Sequence, residues 1–250
     1  MQTGAARQRI FAVTIITAMN NVITTTHAVH PLLLDRWSPK SFQDTPVGSA
    51  TLNRLFEAAR LAPSCFNEQP WHFIVATKTD APLYEKILRC FTEDNQDWAQ
   101  TAPVLMIAVT KLYFEHNGAT NVFAWHDMGL AVANLTFQAV SEGLQVCEAA
   151  GINHEKVCAD LAIPEGYQPC VGIALGYAGN GDNLSPALQQ KHNRPRTRKP
   201  LSSFVHYGKP DLQMELNEQQ KQVYELMKGK FEFGDLRPVF AFVRAKFARG

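Results

Sequence analysis

The chain of 250 residues lacks the signatures that would assign it at once. No G-x-G-x-x-G follows an apolar run, which excludes a nicotinamide held in a standard dinucleotide fold. G-x-x-x-x-G-K-[S/T], H-E-x-x-H and G-x-S-x-G are missing too, which removes the commonest phosphate-loop, zinc-protease and serine-hydrolase readings. Nor is there a surplus of one charge. Lys+Arg number 24 and Asp+Glu 23, a formal net charge of +1, so nucleic acid is not expected as a partner. No apolar run reaches the roughly 18–20 residues of a bilayer span, so a membrane is not expected either. The five cysteines (Cys65, Cys90, Cys147, Cys158, Cys170) are odd in number and share no C-x-x-C spacing. Neither a disulfide framework nor a zinc site follows, and free thiols in a reducing, cytoplasmic compartment are expected. His27 and His30 lack a third ligand nearby, so no metal is expected.

What is present is ample apolar material, 46% of the chain, enough for one sizeable core. At the N-terminus Arg7 and Arg9 precede the apolar residues 10–18, the order of a short signal peptide. Thr14 and Thr17 interrupt that run and no A-x-A follows, which argues against export. Met19 offers a second start.

Arg36, Ser38 and Lys40 alternate, so an extended segment points all three to one side, with Trp37 and Phe42 as core anchors on the other. Two cations and a hydroxyl suit an anion; a solvated polar edge would look the same. From Val47 to Leu61 the apolar residues Leu52, Leu55, Phe56 and Ala59 recur at helical spacing, and Pro63 ends the helix. Trp71–Ala76 reads as a strand. Pro82 opens a second helix, while residues 92–100 are polar and read as loop or frayed helix. Val104–Val109 suits a central strand covered on both faces. Asn121 can cap the longest helix, about Val122–Glu142, whose broad apolar stripe suits full burial or a second subunit. In its first turns His126-Asp127 reads as a carboxylate placed well in the helix dipole beside a partly exposed histidine, rather than an acid/base pair. Strands follow at Leu144–Cys147 and Cys170–Gly176, with a helix capped by Asn153 between them. Residues 179–195 read as loop, and Leu212, Leu216, Val223, Leu226 and Met227 suggest a helix in the tail. Helices alternating with apolar strands define an α/β or α+β protein.

The chain centres on residues 62–76, APSCFNEQPWHFIVA. Between a helix and a strand lie Pro63, Ser64, Cys65, Asn67, Gln69 and Pro70, a bend that can offer backbone and side-chain amides to a flat polar ligand. Further on, Glu148-Ala149-Ala150-Gly151 lets backbone approach a ligand closely, and Arg194, Arg196, Arg198 and Lys199 form a basic stretch.

Four stretches (RWSPKSF, APSCFNEQPWHFIVA, AWHDMGLAVANLTFQAVSEGL, and RPRTRKPL with SSFVHYGK) together resemble the FMN-dependent nitroreductase family over about residues 31–208. The resemblance implies a mixed sheet flanked by helices and an intimate homodimer, with FMN at the interface held by both chains. It divides the chain into an N-terminal extension (1–30), the flavin-binding domain (31–208) and a C-terminal extension (209–250). Matched to the family's motifs, Arg36, Trp37, Ser38 and Lys40 form the first FMN segment. Asn67 meets the flavin's polar edge with Pro63, Ser64 and Gln69 nearby; Ala150 and Gly151 lie near N5 through their backbone; and Arg196 and Arg198 reach the phosphate. The implied activity is ping-pong electron transfer from NADH or NADPH to a nitroaromatic, quinone or similar small-molecule acceptor, with no catalytic side chain. Dehalogenation, desaturation or flavin fragmentation on the same fold, or flavin binding without turnover, stand as alternatives.

Overall fold

A computed structural model of the chain describes residue 23 and residues 25–208 and 217–227. Within them, helices α1 (Pro31–Asp35) and α2 (Ser49–Arg60) precede strand β1 (Trp71–Thr77). Helices α3 (Ala81–Leu88) and α4 (Glu93–Ala99) lead to β2 (Val104–Lys111). Helix α5 (Ala124–Ser141), β3 (Gln145–Ala149), α6 (His154–Asp160), β4 (Tyr167–Gly176), α7 (Pro186–His192) and α8 (Glu218–Met227) complete the order. The α+β class is as read. The sheet runs β1-β2-β4-β3, and where the resemblance implied a mixed sheet, each pairing among the described residues is antiparallel.

Strand β2 is the axis of the core. Its side chains alternate between two hydrophobic layers, as a period of two requires. Leu105, Ile107 and Val109 pack with Tyr84, Ile87 and Trp98 from α3 and α4, while Val104, Met106 and Ala108 pack with Leu52 and Leu55 of α2 and Met128 and Leu135 of α5. Each such Leu or Ile contributes about 2–3 kcal/mol relative to exposure. That matters for α2, because a helix of 12 residues is marginal alone and its buried face against α5 must hold it. Gly172 is fixed by packing, since a Cβ there would lie 2.5 Å from the Phe91 ring.

Several local readings change. The polar window 92–100 forms α4, because Trp98 and Ala99 turn a fully buried face inward. Residues 179–195 are not wholly loop: Ser185 caps α7, accepting from the Leu188 amide. Pro31 begins α1, a short helix not read from the sequence, with His30 as its cap. Asn121 does not cap α5: its Oδ1 accepts from the Phe123 amide, while α5 starts at Ala124 with Phe123 at the cap position. The tail helix is present as α8; Leu212, Leu216 and residues 228–250 fall outside the described residues, as do residues 1–22 with the candidate leader. The cysteines are free, and no described helix is long and apolar enough to cross a membrane.

Candidate functional site

Two clusters form, at opposite corners of the sheet. The first gathers beside β3. The Trp37 amide donates to Gln145 Oε1 (3.1 Å), and Gln145 Nε2 returns a bond to the Asp35 carbonyl (3.1 Å), so the strand's first residue fixes the 35–37 backbone. Arg36 Nη1 donates to Ser38 Oγ (3.3 Å), so two members of the alternating triplet share a side, whereas Lys40 does not join them. Arg196 clamps the same segment by donating to the Leu34 and Arg36 carbonyls, so part of its donor set is committed to backbone. Arg198 stays exposed, donating to its neighbour's carbonyl.

The three guanidiniums repel one another. Arg36 is pushed below the usual arginine value by burial and then by Arg198; Arg196 by burial and then by Arg36 and Arg198. Glu148 offsets part of this at Arg36, although the protein around its own carboxyl raises its pKa; Asp35 acts likewise at Arg196. Charge gathered against its own repulsion favours a bound anion, and guanidinium forks suit phosphate geometry.

Lys40 turns from this surface into the body. Its Nζ donates to Cys147 Sγ (3.4 Å) and stands 3.9 Å from the centre of the Trp98 ring. Its amide donates to His192 Nδ1 (3.1 Å), and the His192 ring meets Trp37 edge-on at 5.0 Å. His192 is only 2% exposed, and its Nε2 reaches no partner at hydrogen-bond geometry among the described residues; the Gly179 backbone acts on the ring too weakly to offset burial, which lowers its pKa. A protonated ring could not accept from Lys40. The depressed pKa therefore fixes the sign: the contribution of neutral His192 is whole above the ordinary histidine value of about 6.5 and is lost as pH falls toward the lower folded value. The melting temperature is expected to drop as pH falls below about 6.5 in the native chain, and His192→Asn, which keeps an acceptor at the Nδ1 position without a titration, should flatten that drop. Parallel curves for the two proteins would contradict the assignment.

The second cluster is the bend before β1. Phe66, Asn67 and Gln69 adopt positive φ (51°, 58° and 52°), a conformation that costs a non-glycine residue about 1 kcal/mol or more. Local bonds hold it. Ser64 Oγ accepts from the Gln69 amide (3.0 Å), Gln69 Nε2 braces the Asn67 carbonyl (3.0 Å), and buried Asp127 of α5 accepts from the Cys65 amide (2.9 Å). Asp127 is thus the anchor of the bend, a role its helix-start position did not disclose. The Asn67 side chain is exposed and makes no hydrogen bond among the described residues. Pro63 is exposed beside it, and so are Leu61 (69%), Phe66 (79%) and Phe123 (49%), an apolar rim.

One chain does not join these clusters. Trp71, next to the bend, aligns through Thr110 with Gln168, whereas Gln145, beside Arg36, aligns with Gly176. Three strand spacings and eight residues of β4 separate them, about 14 Å across and about 27 Å along the sheet. Helix α5 gives the same measure: Asp127 in its first turn holds the bend, its chain leads directly to Gln145, and its 18 residues span about 27 Å. Ala150 and Gly151 belong to the Arg36 side, at the end of β3. Ala150 is exposed, while the Gly151 carbonyl accepts from the Thr92 amide (3.0 Å) and from Asn95 Nδ2 (3.1 Å). A Cβ on Gly151 would sit 2.3 Å from Asn95 Nδ2, so a larger residue here would displace that side chain.

The site thus comprises a cationic corner and an amide-bearing bend on an α+β scaffold. The Nitroreductase family profile matches residues 33–177, and the chain belongs to that family. A solved structure described as an oxidoreductase containing FMN superposes with a TM-score of 0.69 and 30% identity, covering 78% of this chain and 98% of that one. An FMN reductase (NAD(P)H) of Bacillus subtilis strain 168 is 27% identical over 176 residues, 64% of this chain and 69% of that protein. An uncharacterized 15.4 kDa protein of Mycolicibacterium smegmatis is 34% identical over 87 residues, 35% of this chain; the match spans 58% of that relative's length.

Proposed function

We propose that the chain is an FMN oxidoreductase dependent on NADH or NADPH, acting as a homodimer. The carrying observation is the gathering of Arg36, Arg196 and Arg198 against mutual repulsion at one edge of β3. The residues fit FMN: a doubly charged phosphate would relieve that repulsion, and the small-residue turn at Ala150 and Gly151 leaves room for a planar ring system beside it. Bound FMN would supply the redox chemistry of a ping-pong cycle between NADH or NADPH and a nitroaromatic, quinone or similar acceptor. The chain's part is to bind and orient. Arg36 and Arg198 hold the phosphate; Ser38 adds a hydroxyl beside Arg36; Arg196 and Trp37 fix the backbone that carries them. Lys40 supplies a fixed cation, the kind of charge that favours a reduced, anionic cofactor over a neutral oxidised one. Asn67, with Pro63, Ser64 and Gln69, offers its amide from the partner copy's bend, because the two corners of one chain lie too far apart to share a ligand. The apolar rim of Leu61, Phe66 and Phe123 around that bend supports contact with a second copy. No side chain need donate or remove a proton.

The test is direct. Purified protein should be yellow, and NADH or NADPH should bleach it in the absence of oxygen. Protein that stays colourless and takes up no added FMN contradicts the reading.

A further inference from the structure

The backbone that carries Arg36 and Ser38 is fastened to the chain that follows β4. The Gly179 amide donates to the Ser41 carbonyl (2.8 Å), the Gln43 amide to the Tyr177 carbonyl (2.8 Å), and Ser41 Oγ to Asn183 Oδ1 (3.2 Å). Where those bonds end, His192 takes over. Its ring accepts from the Lys40 amide and meets Trp37 edge-on, so it touches the segment at two points. Gly181, at a φ of 84°, lets the turn pass over that ring, since a Cβ there would lie 3.1 Å from it. Beyond His192 the same chain reaches Arg196, which donates to the Leu34 and Arg36 carbonyls. His192 thus ties the late cationic stretch to the early one.

Resting on the FMN reading above, we propose that His192 is a positioning residue of the cofactor site, whose neutral ring keeps residues 37–40 in the shape that receives the phosphate, so that FMN binding and protonation of His192 oppose each other. In the free chain a protonated ring and the Lys40 amide, two donors facing one another, can part by a local shift of the segment. With FMN bound, the phosphate contacts of Arg36 and Ser38 hold the segment in place, and the same shift costs those contacts as well. By linkage, FMN and the proton then weaken each other by one common factor. Opposing pulls are present. The C-terminal end of α7 favours a charged ring through the helix dipole. The phosphate would favour it too, but its charge is met by Arg36, Arg196 and Arg198. Of the charged side chains around the ring, Lys191 precedes it on α7, the Lys40 ammonium is turned toward Trp98 and Cys147, and Asp182 accepts from Asn180. None of them outweighs burial, the larger of the two influences on the ring, the Gly179 backbone being the other.

Calorimetric titrations with FMN between about pH 7.5 and about pH 5 read the coupling. Over that range the dissociation constant of the native chain is expected to rise about threefold or more beyond the rise in His192→Asn, which keeps an acceptor at the Nδ1 position and cannot titrate. The variant is the reference because the FMN phosphate itself titrates near about pH 6 in both proteins. His192→Leu, without an acceptor, should bind FMN about tenfold more weakly at about pH 7.5, and His192→Asn should recover most of that loss. The native chain also gives a reading that needs no variant to bind: followed by NMR, the His192 ring should titrate at a lower pH with FMN bound than without it. A ring that titrates at the same or a higher pH in the complex, or native and His192→Asn binding curves that run parallel with pH, overturns this proposal alone and leaves the FMN reading standing. A native chain that takes up no FMN at any pH overturns both.

Discussion

Arg36→Ala is expected to raise the dissociation constant for FMN about 30- to 100-fold, from the loss of a charge-assisted bond of about 2–3 kcal/mol. The same substitution should leave the apoprotein's melting temperature at low salt unchanged or higher. The two effects have opposite signs for one reason. Arg36 sits partly desolvated and within the field of Arg198 and Arg196, so in the free chain its charge is a cost. Its visible local bond, to Ser38, is long and exposed, and removing it costs little. Only an anion turns that charge into a gain. Raising the salt should shrink both effects, since exposed charges are screened over about 10 Å at 0.1 M. Calorimetric titration with FMN and melting curves of the apoprotein check the two halves separately. A dissociation constant within about twofold of the native value would contradict the phosphate assignment.

Much of the scaffold could be read from residue order. The pairing of Arg36 with Ser38, the apolar run of β2, the face of α2 and the Asn153 cap depend on local spacing, and local spacing is what a sequence displays. Arg36, Ser38, Lys40 and the bend at Asn67 stood out for the same reason. What stayed hidden depends on contacts between distant segments. Window 92–100 reads as polar because the six residues of α4 other than its tryptophan are polar, acidic or small, yet Trp98 fills the core beneath Lys40. A lone tryptophan five residues before Pro103 was the available sign: so large an apolar side chain in a polar segment marks a buried face. Asp127 looked like a dipole carboxylate and proved to be the tie that holds the strained bend, a bond across 62 residues that no periodicity encodes. His192 lay inside an expected loop, and its acceptance from the Lys40 amide spans 152 residues. The separation of the two clusters was legible only as something the resemblance implied; the strand register gives it a physical measure.

That separation makes the second large prediction. Dimers of Arg36→Ala should lose tight FMN binding at both sites, and dimers of Asn67→Gly should weaken it about tenfold at both. Glycine is the right replacement because it removes the amide while keeping the positive φ at no steric cost. A dimer with one chain of each kind is different. If Arg36 of one copy and Asn67 of the other serve the same cofactor, one of its two sites carries both damaged groups and the other carries neither.

Purified with distinct tags on the two chains, that mixed dimer is the most direct measurement. It should bind one FMN per dimer with the affinity of the native protein. A mixed dimer with no native-affinity site, each chain retaining only its own defect, would show that the cofactor is not shared between copies.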